Sequence, residues 1–462
     1  YTTTGELVAE SADASDKDVA DAGKAANTAL QTWSKTTVTE RAAILNKIAD
    51  IIDENKEFLA TVETMDNGKP IRETTFADIP LAADHFRYFA GVIRGEEGSA
   101  TMVDENTLSL ILREPIGVVG QIVPWNFPFL MAAWKLAPVL AAGDVTILKP
   151  SSSTSLSVLE LMKLIQNVVP KGVINLITGK GSKSGEFLQH NTGLDKLAFT
   201  GSTEVGREIG LSAAQMIIPS TLELGGKSAN VFFKDADMKV ALEGIQLGIL
   251  FNQGQVCSAG SRIFVEESFY DEFMAHVIPA FQKVKVGNPL DMNTQMGAQV
   301  DERQLKKILS YVEIGKQEGA KVAVGGARYT EGEAAKGCFM QPTLLTDVTN
   351  DMRVAQEEIF GPVGVVIKFK NEEDLLAMAN DSIYGLAGGV FTKDINKAIR
   401  VARGIRTGRV WVNTYNTFPA GTPFGGYKES GIGRETHKVI LDHYTQMKNI
   451  IINLAEKPGG FY

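Results

Sequence analysis

The sequence predicts an α/β fold built on a doubly wound parallel sheet, followed by a second αβ unit. Between residues 116 and 224, short apolar runs of strand length alternate with amphipathic stretches of helical length, which is the pattern of parallel βαβ units. The continuous apolar run 116–123 indicates a strand that is covered on both faces. A chain of 462 residues is too long for one compact core, so we expect two or more domains.

Composition and charge exclude several classes of protein. The chain is 44% hydrophobic and 22% charged, as in ordinary globular domains, and its formal net charge is −9. This acidic balance argues against nucleic acid or an anionic membrane as a partner. Five scattered histidines and two cysteines give no metal-ligand spacing, so no metal is expected. Two cysteines make no disulfide framework, which favours the cytoplasm.

The first 94 residues are expected to form a helical scaffold. Apolar residues recur at helical spacing in two stretches, 19–33 and 44–52. Thr37, followed three residues later by Glu40, matches a capping box and predicts the start of the second helix. The charged residues of this region are interpreted as a solvated face without a chemical role.

Strands and helices alternate from Thr107 onward. The first group of predicted elements comprises strand 107–113, strand 116–123, helix 129–140, strand 145–148, helix 156–168, strand 173–177, helix 185–190, strand 196–199 and strand 220–224. The second comprises helix 240–250, strand 263–265, helices 269–284 and 302–317, strands 321–324, 342–345 and 364–369, helix 374–380, strand 388–391, helix 395–403 and strand 409–413. The apolar tail 444–453 predicts a last strand, which is expected to pair because an exposed apolar edge would aggregate.

One stretch, 116–148, is apolar and long enough to cross a bilayer. It is interrupted by residues that are costly in a lipid-facing helix, namely Pro124, Pro128, Lys135, Pro138 and Asp144. A buried strand, loop, helix and second strand therefore fit this stretch better.

Polar and glycine-rich stretches follow four successive predicted strands. They are 125–126, 149–152, 179–181 and 201–206. In open α/β sheets, ligands bind beyond the carboxyl ends of the strands. We therefore expect these four stretches to converge on one edge of the sheet and to form a binding site there.

Cys257 is the candidate nucleophile. It lies in a polar, glycine-containing turn between the apolar run 245–251 and the strand 262–265, where a fold can hold a side chain rigidly and still expose it. The alternative is a small buried hydrophobic side chain, the commoner state of a lone intracellular cysteine. The second thiol, Cys338, has no base near it in the sequence and is interpreted as a packing residue.

Two further residues could serve a nucleophile. Glu223 ends a buried strand, where desolvation raises the pKa of a carboxyl group and suits it to act as a general base. The alternative role is that of a salt-bridge partner. Asn126 offers an uncharged amide N–H of the kind that an oxyanion requires. Its alternative role is that of a turn asparagine ahead of Pro128.

The glycine-rich turns are ambiguous when taken singly. Residues 179–185 nearly match the dinucleotide fingerprint GxGxxG, but Ser184 replaces the third glycine, so a plain strand-to-helix turn fits as well. In 201–206, small residues and the Ser202 hydroxyl could approach a pyrophosphate at a helix N-terminus, or the segment could be an ordinary capped helix start. Lys149 could bind ribose hydroxyls or simply lie at the sheet edge.

Six motifs taken together are more specific. In order along the chain they are Pro124–Pro128 (PWNFP), Phe199–Thr203 (FTGST), Glu223–Lys227 (ELGGK), Asn252–Cys257 (NQGQVC), Gln356–Pro362 (QEEIFGP) and Pro423–Lys428 (PFGGYK). These motifs resemble those of the aldehyde dehydrogenase superfamily, and the resemblance covers nearly the whole chain. Within the superfamily, stretches 352–362 and 421–438 are most similar to bacterial acetaldehyde-type NAD(P)-dependent enzymes.

The resemblance implies an aldehyde dehydrogenase-like α/β fold of three parts. The first is a Rossmann-type cofactor domain, residues 1–96 and 116–224, and the second is a catalytic αβ domain, residues 225–428. The third is a small β arm for oligomerisation, residues 97–115 and 442–453.

The resemblance also implies the catalytic roles. Cys257 attacks the aldehyde carbon, and the Asn126 amide with the Cys257 backbone N–H holds the oxyanion. Hydride then leaves for the nicotinamide, and Glu223 activates the water that hydrolyses the resulting thioester. Glu435 matches a position proposed as a proton relay.

The implied cofactor is NAD or NADP. The positions that match its binding residues are Ile122, Val123, Pro124, Trp125, Lys149, Ser151, Ser152, Gly181, Gly185, Gly201, Ser202, Gly206, Leu224, Glu358 and Phe360. The positions that match the substrate channel are mostly large and apolar, namely Phe127, Leu130, Met131, Trp134, Phe418 and Phe424. An apolar channel favours small uncharged aldehydes, although some of these residues could equally belong to the core.

One position departs from the family pattern. NAD-preferring relatives often carry a glutamate three residues after the ribose-binding lysine, and Ser152 occupies that position here. Without the carboxylate, Lys149 can pair with a 2′-phosphate. NADP is therefore expected to be accepted.

The function implied is oxidation of a short uncharged aldehyde, with acetaldehyde as the leading example, to its carboxylic acid. The alternatives are a semialdehyde or betaine-aldehyde dehydrogenase, for which no anion-binding arginine cluster is recognisable, and a non-catalytic binding or structural relative. A CoA-acylating enzyme is disfavoured because Glu223 is present to serve hydrolysis. The predicted partners are the aldehyde and further copies of the chain in a homodimer or homotetramer.

Overall fold

A computed structural model describes residues 3–457 and 459–460. The helices are α1 (Asp16–Trp33), α2 (Val38–Glu54), α3 (Lys56–Asn67), α4 (Ile71–Glu73), α5 (Ile79–Val92), α6 (Pro128–Ala142), α7 (Leu156–Ile165), α8 (Glu186–Gln189), α9 (Thr203–Met216), α10 (Met238–Ile249), α11 (Tyr270–Gln282), α12 (Glu302–Gln317), α13 (Arg353–Gln356), α14 (Glu372–Asn380), α15 (Ile395–Gly404) and α16 (Leu441–Tyr444).

The strands are β1 (Ser99–Asp104), β2 (Thr107–Pro115), β3 (Val118–Ile122), β4 (Val145–Lys149), β5 (Ile174–Leu176), β6 (Lys196–Thr200), β7 (Ser220–Glu223), β8 (Ala229–Phe232), β9 (Arg262–Glu266), β10 (Lys321–Val324), β11 (Thr343–Thr346), β12 (Val363–Phe369), β13 (Tyr384–Gly385), β14 (Ala387–Phe391), β15 (Arg409–Val412), β16 (Tyr427–Lys428), β17 (Gly431–Ile432) and β18 (Thr445–Asn453).

The first sheet has the strand order β17-β7-β6-β3-β4-β5. Strands β3 to β7 pair in parallel, and β17 adds an antiparallel edge against the end of β7. The order reverses around β3, so the sheet is doubly wound and has a ligand-binding edge at the carboxyl ends of its strands. The α/β fold class predicted from the sequence is confirmed.

The second sheet has the order β10-β11-β12-β9-β8-β14-β15. Its strands are parallel except for β10, which runs antiparallel to β11 at one edge. Strand β8 lies near the centre of this sheet and was not predicted, because four buried residues after two glycines show no recognisable period. Strands β13 and β16 form a separate two-stranded ribbon.

A three-stranded antiparallel arm completes the fold, with the order β1-β2-β18. Strand β18 pairs with β2 from Thr445 opposite Pro115 to Asn453 opposite Thr107. The tail therefore pairs as the sequence predicted, whereas β1 was missed. Met447 and Ile451 lie on the same face of β18 and remain 70% and 59% exposed, so this face keeps two large apolar side chains uncovered within this chain.

Residues 3–94 form a helical scaffold, as the sequence predicts. Residues 1 and 2 lie outside the described part of the chain. The capping box is present, because the Thr37 backbone N–H donates to Glu40 Oε2 at 2.7 Å and the Glu40 N–H donates to Thr37 Oγ1 at 3.2 Å. No helix within the described residues is long and apolar enough to span a membrane.

Two predicted helices differ in detail from the structure. Helix α6 begins one residue earlier and ends two residues later than predicted, and it includes Pro138 as predicted, where packing of its buried surface compensates for the missing backbone hydrogen bond. The helix predicted over 185–190 is instead a π-helical turn, Gly181–Gly185, followed by the single turn α8.

Candidate active site

A large cavity of about 1440 Å³ lies beyond the carboxyl ends of the strands of the first sheet. Nearly all the predicted site residues line it: Ile122, Val123, Pro124, Trp125, Asn126, Phe127, Leu130, Met131, Trp134, Lys149, Ser151, Ser152, Gly181, Gly185, Gly201, Ser202, Glu223, Leu224, Cys257, Glu358, Phe360, Phe418 and Phe424. Residues of all four strand-following stretches are among them, so these stretches do converge on one edge. Gly206 and Glu435 are not part of the lining.

The turn that carries Cys257 has an unusual backbone. Asn252, Gln253 and Gly254 have φ angles of 46°, 54° and 71°, which place three successive residues in the left-handed region. Asparagine tolerates this region better than most residues. At Gly254 a Cβ atom would lie 2.1 Å from the carbonyl oxygen of Gly361, so only glycine fits there.

Hydrogen bonds from distant segments hold this turn in place. The backbone N–H of Asn252 donates to Glu73 Oε2 at 2.9 Å, and its side-chain Nδ2 donates to the carbonyl oxygen of Asn126 at 2.6 Å. The Gln253 side chain donates to the carbonyl of Ala298 at 2.9 Å. Because a strained backbone persists only where its surroundings fix it, these contacts determine where Cys257 lies.

Asn126 is buried, and its side-chain amide is fixed beside the cysteine turn. Asn126 Nδ2 donates one hydrogen bond to the carbonyl oxygen of Gln255, two residues before Cys257, at 2.8 Å. An amide nitrogen carries two hydrogens, so a second N–H remains for a ligand oxygen in the cavity. The Asn67 side chain donates to the Trp125 carbonyl at 2.7 Å and steadies the same segment.

The Cys257 thiol is reachable from the cavity but is surrounded by protein on its other sides. This burial, with the negative charges of Glu358 and Glu223 nearby, raises the pKa of the Cys257 thiol to about 12. The thiol therefore keeps its proton at neutral pH, and a neighbouring base must accept that proton before the sulfur can attack.

Glu223 ends β7 and lines the same cavity. Burial raises the pKa of this carboxyl well above its usual value, and the negative charge of Glu435 adds to the effect. Neither carboxylate oxygen has a hydrogen-bond partner in the part of the chain that the structure describes. When it is ionised, this carboxylate has two unoccupied oxygens that can accept a proton from a group in the cavity.

Glu435 lies behind this site. It forms an ion pair with Lys135 of α6, and both side chains are only 1% exposed. The second carboxylate oxygen of Glu435 is buried without a hydrogen-bond partner among the described residues. The structure thus keeps Glu435 out of the cavity lining but electrostatically close to Glu223.

On the cofactor side, Lys149 ends β4 and is only 2% exposed. Burial lowers the pKa of its ammonium group to about 8. The Ser202 hydroxyl caps α9 and accepts a hydrogen bond from the Val205 N–H at 3.3 Å, so the segment 201–206 is a capped helix start that also lines the cavity. Gly206 has a packing role instead, because a Cβ atom there would lie 2.3 Å from the side chain of Leu224.

Glu358 and Phe360 reach the cavity from the second sheet's side. Glu358 accepts a hydrogen bond from the Gly226 N–H at 3.0 Å, and burial raises the pKa of its carboxyl. Phe360 has a φ angle of 60°, and its ring meets Trp125 edge-on at 5.2 Å between ring centres. Both residues line the cavity together with Ile122, the last residue of β3, and the segment 123–125 that follows it.

Aromatic rings form the other end of the cavity. Trp134, Phe418 and Phe424 meet edge to face, with ring centres 5.5 to 6.2 Å apart. The ring of Phe127 stacks on that of Phe251 at 6.0 Å. These walls are apolar and rigid, which suits a small uncharged organic group.

The sequence prediction missed several residues of the site, among them two groups from the helical scaffold. Phe76, Pro80 and Leu81 also line the cavity and come from a π-helical turn, Thr74–Asp78, and the start of α5. Nothing in the sequence pattern signals such a turn, although π-helical turns are frequent at functional sites.

The second missed group is a buried charge network under the cysteine turn. Its members are Glu63, Lys69, Glu73 and Asp78, which are between 0% and 7% exposed. Lys69 pairs with Asp78 at 2.6 Å. The prediction of a solvated charged face is therefore wrong for these four residues, because tertiary contacts alone decide which charges of a helical scaffold become buried.

Comparisons with known proteins agree with this geometry. The profile of the aldehyde dehydrogenase family matches residues 1–450. The chain belongs to the aldehyde dehydrogenase family. It is 52% identical to aldehyde dehydrogenase B of Escherichia coli K12, in an alignment that covers 99% of this chain and 91% of that protein.

Solved structures of the family show the same fold. Betaine aldehyde dehydrogenase of Staphylococcus aureus, in complex with NAD+, has a TM-score of 0.97 at 41% identity, with 100% of this chain and 92% of that chain covered. An NAD+ complex of aldehyde dehydrogenase from Bacillus cereus has a TM-score of 0.96 at 42% identity, with 98% and 92% covered. This aldehyde dehydrogenase is accordingly an NAD(P)-dependent oxidoreductase.

The residues of the cavity fit a dinucleotide. The backbone N–H groups at the start of α9 point a helix N-terminus at the cavity, which suits a pyrophosphate. A Cβ atom at Gly181 would meet nothing within 4 Å, so this part of the wall is open. Lys149 and Glu358 offer a hydrogen-bond donor and an acceptor to a ligand in the cavity.

Proposed function

We propose that this enzyme oxidises short uncharged aldehydes, with acetaldehyde as the leading candidate, to carboxylic acids. The observation that carries the proposal is that Cys257, Glu223 and Asn126 line one cavity whose far end is walled by aromatic rings. The rings themselves carry no charge and would desolvate a semialdehyde carboxylate without pairing with it, which favours uncharged substrates over that alternative.

Cys257 forms the covalent intermediate in this proposal. Glu223 accepts the thiol proton, and the sulfur attacks the carbonyl carbon of the aldehyde. The free N–H of the Asn126 amide and the backbone N–H of Cys257 stabilise the negative oxygen of the thiohemiacetal. The nicotinamide ring of the bound cofactor supplies the hydride acceptor, and an acyl thioester remains on Cys257.

Glu223 then serves the second half of the reaction. Once the thiol proton has left Glu223, its carboxylate takes a proton from the water molecule that attacks the thioester. The carbon–sulfur bond breaks, the carboxylic acid leaves, and the departing sulfur takes a proton back to restore the thiol. Glu435 and Lys135 are proposed to pass the proton onward, because their buried ion pair lies next to Glu223 and away from substrate.

The cofactor preference is a separate proposal. Ser152 is exposed at the cavity edge, near Lys149, and carries no charge. The absence of a carboxylate there removes repulsion against a 2′-phosphate, so NADP is expected to be accepted alongside NAD.

Two further proposals concern the oligomeric state of the enzyme and its cellular compartment. The uncovered apolar face of β18 supports a homodimer or homotetramer in which the arm meets a second copy. Both cysteines are free, which supports the reducing cytoplasm as the compartment.

The proposal is tested with a panel of aldehydes crossed with NAD and NADP, in which NAD(P)H formation is measured by absorbance. Acetaldehyde and propionaldehyde are expected to give the highest kcat/KM values. Cys257→Ala should abolish turnover and labelling by a thiol probe at low concentration, whereas Cys338→Ala should preserve turnover. Turnover by Cys257→Ala would contradict the mechanism, and inactivity of the intact enzyme with every aldehyde would favour a non-catalytic relative.

A further inference from the structure

Arg409 lies directly behind the aromatic wall of the cavity. Its guanidinium carbon is 5.5 Å from the ring centre of Phe424 and 5.7 Å from that of Phe418, and both rings line the cavity. Trp411 packs on the same guanidinium at 5.8 Å. Arg409 itself is not part of the cavity lining, so the two phenylalanine rings stand between its charge and a bound substrate.

Arg409 also fixes the segment that carries both rings. Its Nη1 donates to the carbonyl of Thr417 at 3.1 Å, and its Nη2 donates to the carbonyl of Thr422 at 3.1 Å, to Thr422 Oγ1 at 2.6 Å and to the carbonyl of Pro423 at 3.0 Å. A planar guanidinium can bind several acceptors in fixed directions, which an ammonium group cannot do. The Arg409 side chain therefore fixes the backbone next to Phe418 and the backbone next to Phe424.

The positive charge of Arg409 is not neutralised by an ion pair among the described residues. Burial alone lowers the pKa of its guanidinium to about 10, so the group stays protonated at neutral pH, and no carboxylate contributes to this shift. The neighbouring His85 adds no second positive charge, because burial lowers its pKa to about 4 and keeps it neutral. Asp84 lines the cavity but is exposed, where solvent screens its charge.

We propose that Arg409 is a specificity-determining residue that makes this cavity favour uncharged aldehydes over aldehydes that carry a quaternary ammonium group. Aromatic faces attract cations, so a wall of Trp134, Phe418 and Phe424 would otherwise suit such a cation. A guanidinium behind two of these rings repels a second cation that binds on their cavity side. Arg409 is half-buried, so solvent screens this repulsion only in part. The inference rests on the proposed function and narrows its substrate class.

The test uses two aldehydes of the same shape that differ in charge. Betaine aldehyde carries a trimethylammonium group, and tert-butylacetaldehyde carries a carbon atom in place of the nitrogen. The measured quantity is the ratio of kcat/KM for the uncharged aldehyde to kcat/KM for the charged one. For the intact enzyme we expect a ratio of about tenfold or more, as repulsion of little more than 1 kcal/mol would produce.

Three variants separate charge from positioning. Arg409→Gln and Arg409→Met remove the charge, and each is expected to lower the ratio about tenfold. Arg409→Lys keeps the charge and loses the planar hydrogen bonds, so it should keep the ratio while kcat/KM falls for both aldehydes. Asp84→Asn is the matched control at the cavity mouth, and it should raise the ratio or leave it unchanged, since it removes a negative charge.

Two results would overturn the inference about Arg409. The inference is overturned if the intact enzyme prefers betaine aldehyde, or if the ratio changes less than threefold in both uncharged variants. If one variant fails to fold, the other and the ratio of the intact enzyme still decide the matter. Absence of NAD(P)H formation with acetaldehyde and with both probes would instead refute the proposed function itself.

Discussion

At the scale of single residues, the site combines groups whose charged forms are all disfavoured by burial. The pKa of the Cys257 thiol is raised to about 12, and the pKa of the Glu223 carboxyl is raised well above its usual value. At neutral pH the thiol keeps its proton, and Glu223 can take that proton only in molecules whose carboxyl group is ionised. The fixed amide of Asn126 then stabilises the charge that develops on the substrate.

Ser152 gives a prediction at the same scale. Ser152→Glu places a carboxylate near Lys149, where it repels a 2′-phosphate and accepts hydrogen bonds from a 2′-hydroxyl. We expect kcat/KM with NADP to fall by roughly tenfold or more while kcat/KM with NAD is kept or rises. Steady-state kinetics with both cofactors measure the ratio, and Ser152→Gln is the uncharged control. An unchanged cofactor ratio in Ser152→Glu would show that this position does not face the ribose.

How far the sequence predicts the site depends on the kind of signal each residue carries. Cys257, Glu223, Asn126 and the turn 201–206 stand in recognisable motifs, and all but the first follow strands of a parallel sheet, whose carboxyl edge brings such positions together. Glu73 gave no signal, because it lies 179 residues from Asn252, the residue whose N–H it accepts, and only the tertiary fold joins them.

At the scale of elements, the α3–α5 region supports the cysteine turn through buried charge. Glu73 Oε2 accepts the Asn252 N–H, and Lys69 pairs with Asp78 and lies 3.9 Å from the ring centre of Phe127. Burial raises the pKa of Glu63 to about 7 and that of Glu73 to about 8. The helices of this region therefore do more than cover the sheet, because they hold the backbone from which Cys257 projects.

Stability should depend on pH through Glu73. Its pKa is about 8 in the folded chain against 4.5 ordinarily, so the native state binds more protons between these pH values and loses stability as pH rises through them. For one group the slope is roughly 1.4 kcal/mol per pH unit at most. Glu73→Gln mimics the protonated form and keeps an acceptor for the Asn252 N–H. Its unfolding temperature should match the intact enzyme near pH 5 and exceed it near pH 8.5.

Glu40 supplies a control of opposite sign. Hydrogen bonds from Thr37 lower the pKa of the Glu40 carboxyl, so its stabilising contribution is present above the ordinary pKa and is lost as the pH falls. Glu40→Gln should therefore lower the unfolding temperature at pH 8.5, where Glu73→Gln raises it. If Glu73→Gln shows the same pH dependence as the intact enzyme, Glu73 does not take up the proton on folding.

At the scale of the whole molecule, the carboxyl edge of the first sheet determines where the cavity lies. One face of the arm is left uncovered by the rest of the chain. The parallel order of the first two sheets could be predicted from alternating strand and helix patterns. Strands β1 and β8 could not, since short strands with no alternation have no period to detect. After β15 the chain runs back to the first sheet, where β17 pairs with β7 and Glu435 forms an ion pair with Lys135. No local sequence pattern predicts these contacts.

The arm gives a prediction about assembly. Met447→Lys with Ile451→Lys places two charges on the uncovered apolar face of β18, which would be buried against a second copy. We expect the double variant to have a lower molar mass in light scattering after size exclusion than the intact enzyme. Ile395→Lys, at a similarly exposed isoleucine on α15, is the control and should keep the mass. An unchanged mass in the arm variant would locate the interface elsewhere.

The central claim is that Cys257 carries an acyl group that Glu223 removes with water. Intact-mass spectrometry of Glu223→Gln, mixed with acetaldehyde and cofactor, tests it most directly, because the amide cannot accept the proton of the attacking water. We expect acylation to slow, because glutamine cannot take the thiol proton either, and hydrolysis to slow further. The protein should therefore gain the mass of one acetyl group at Cys257, and NAD(P)H should form in a single slow burst. Continued turnover without an acylated species, or acylation at another residue, would contradict it.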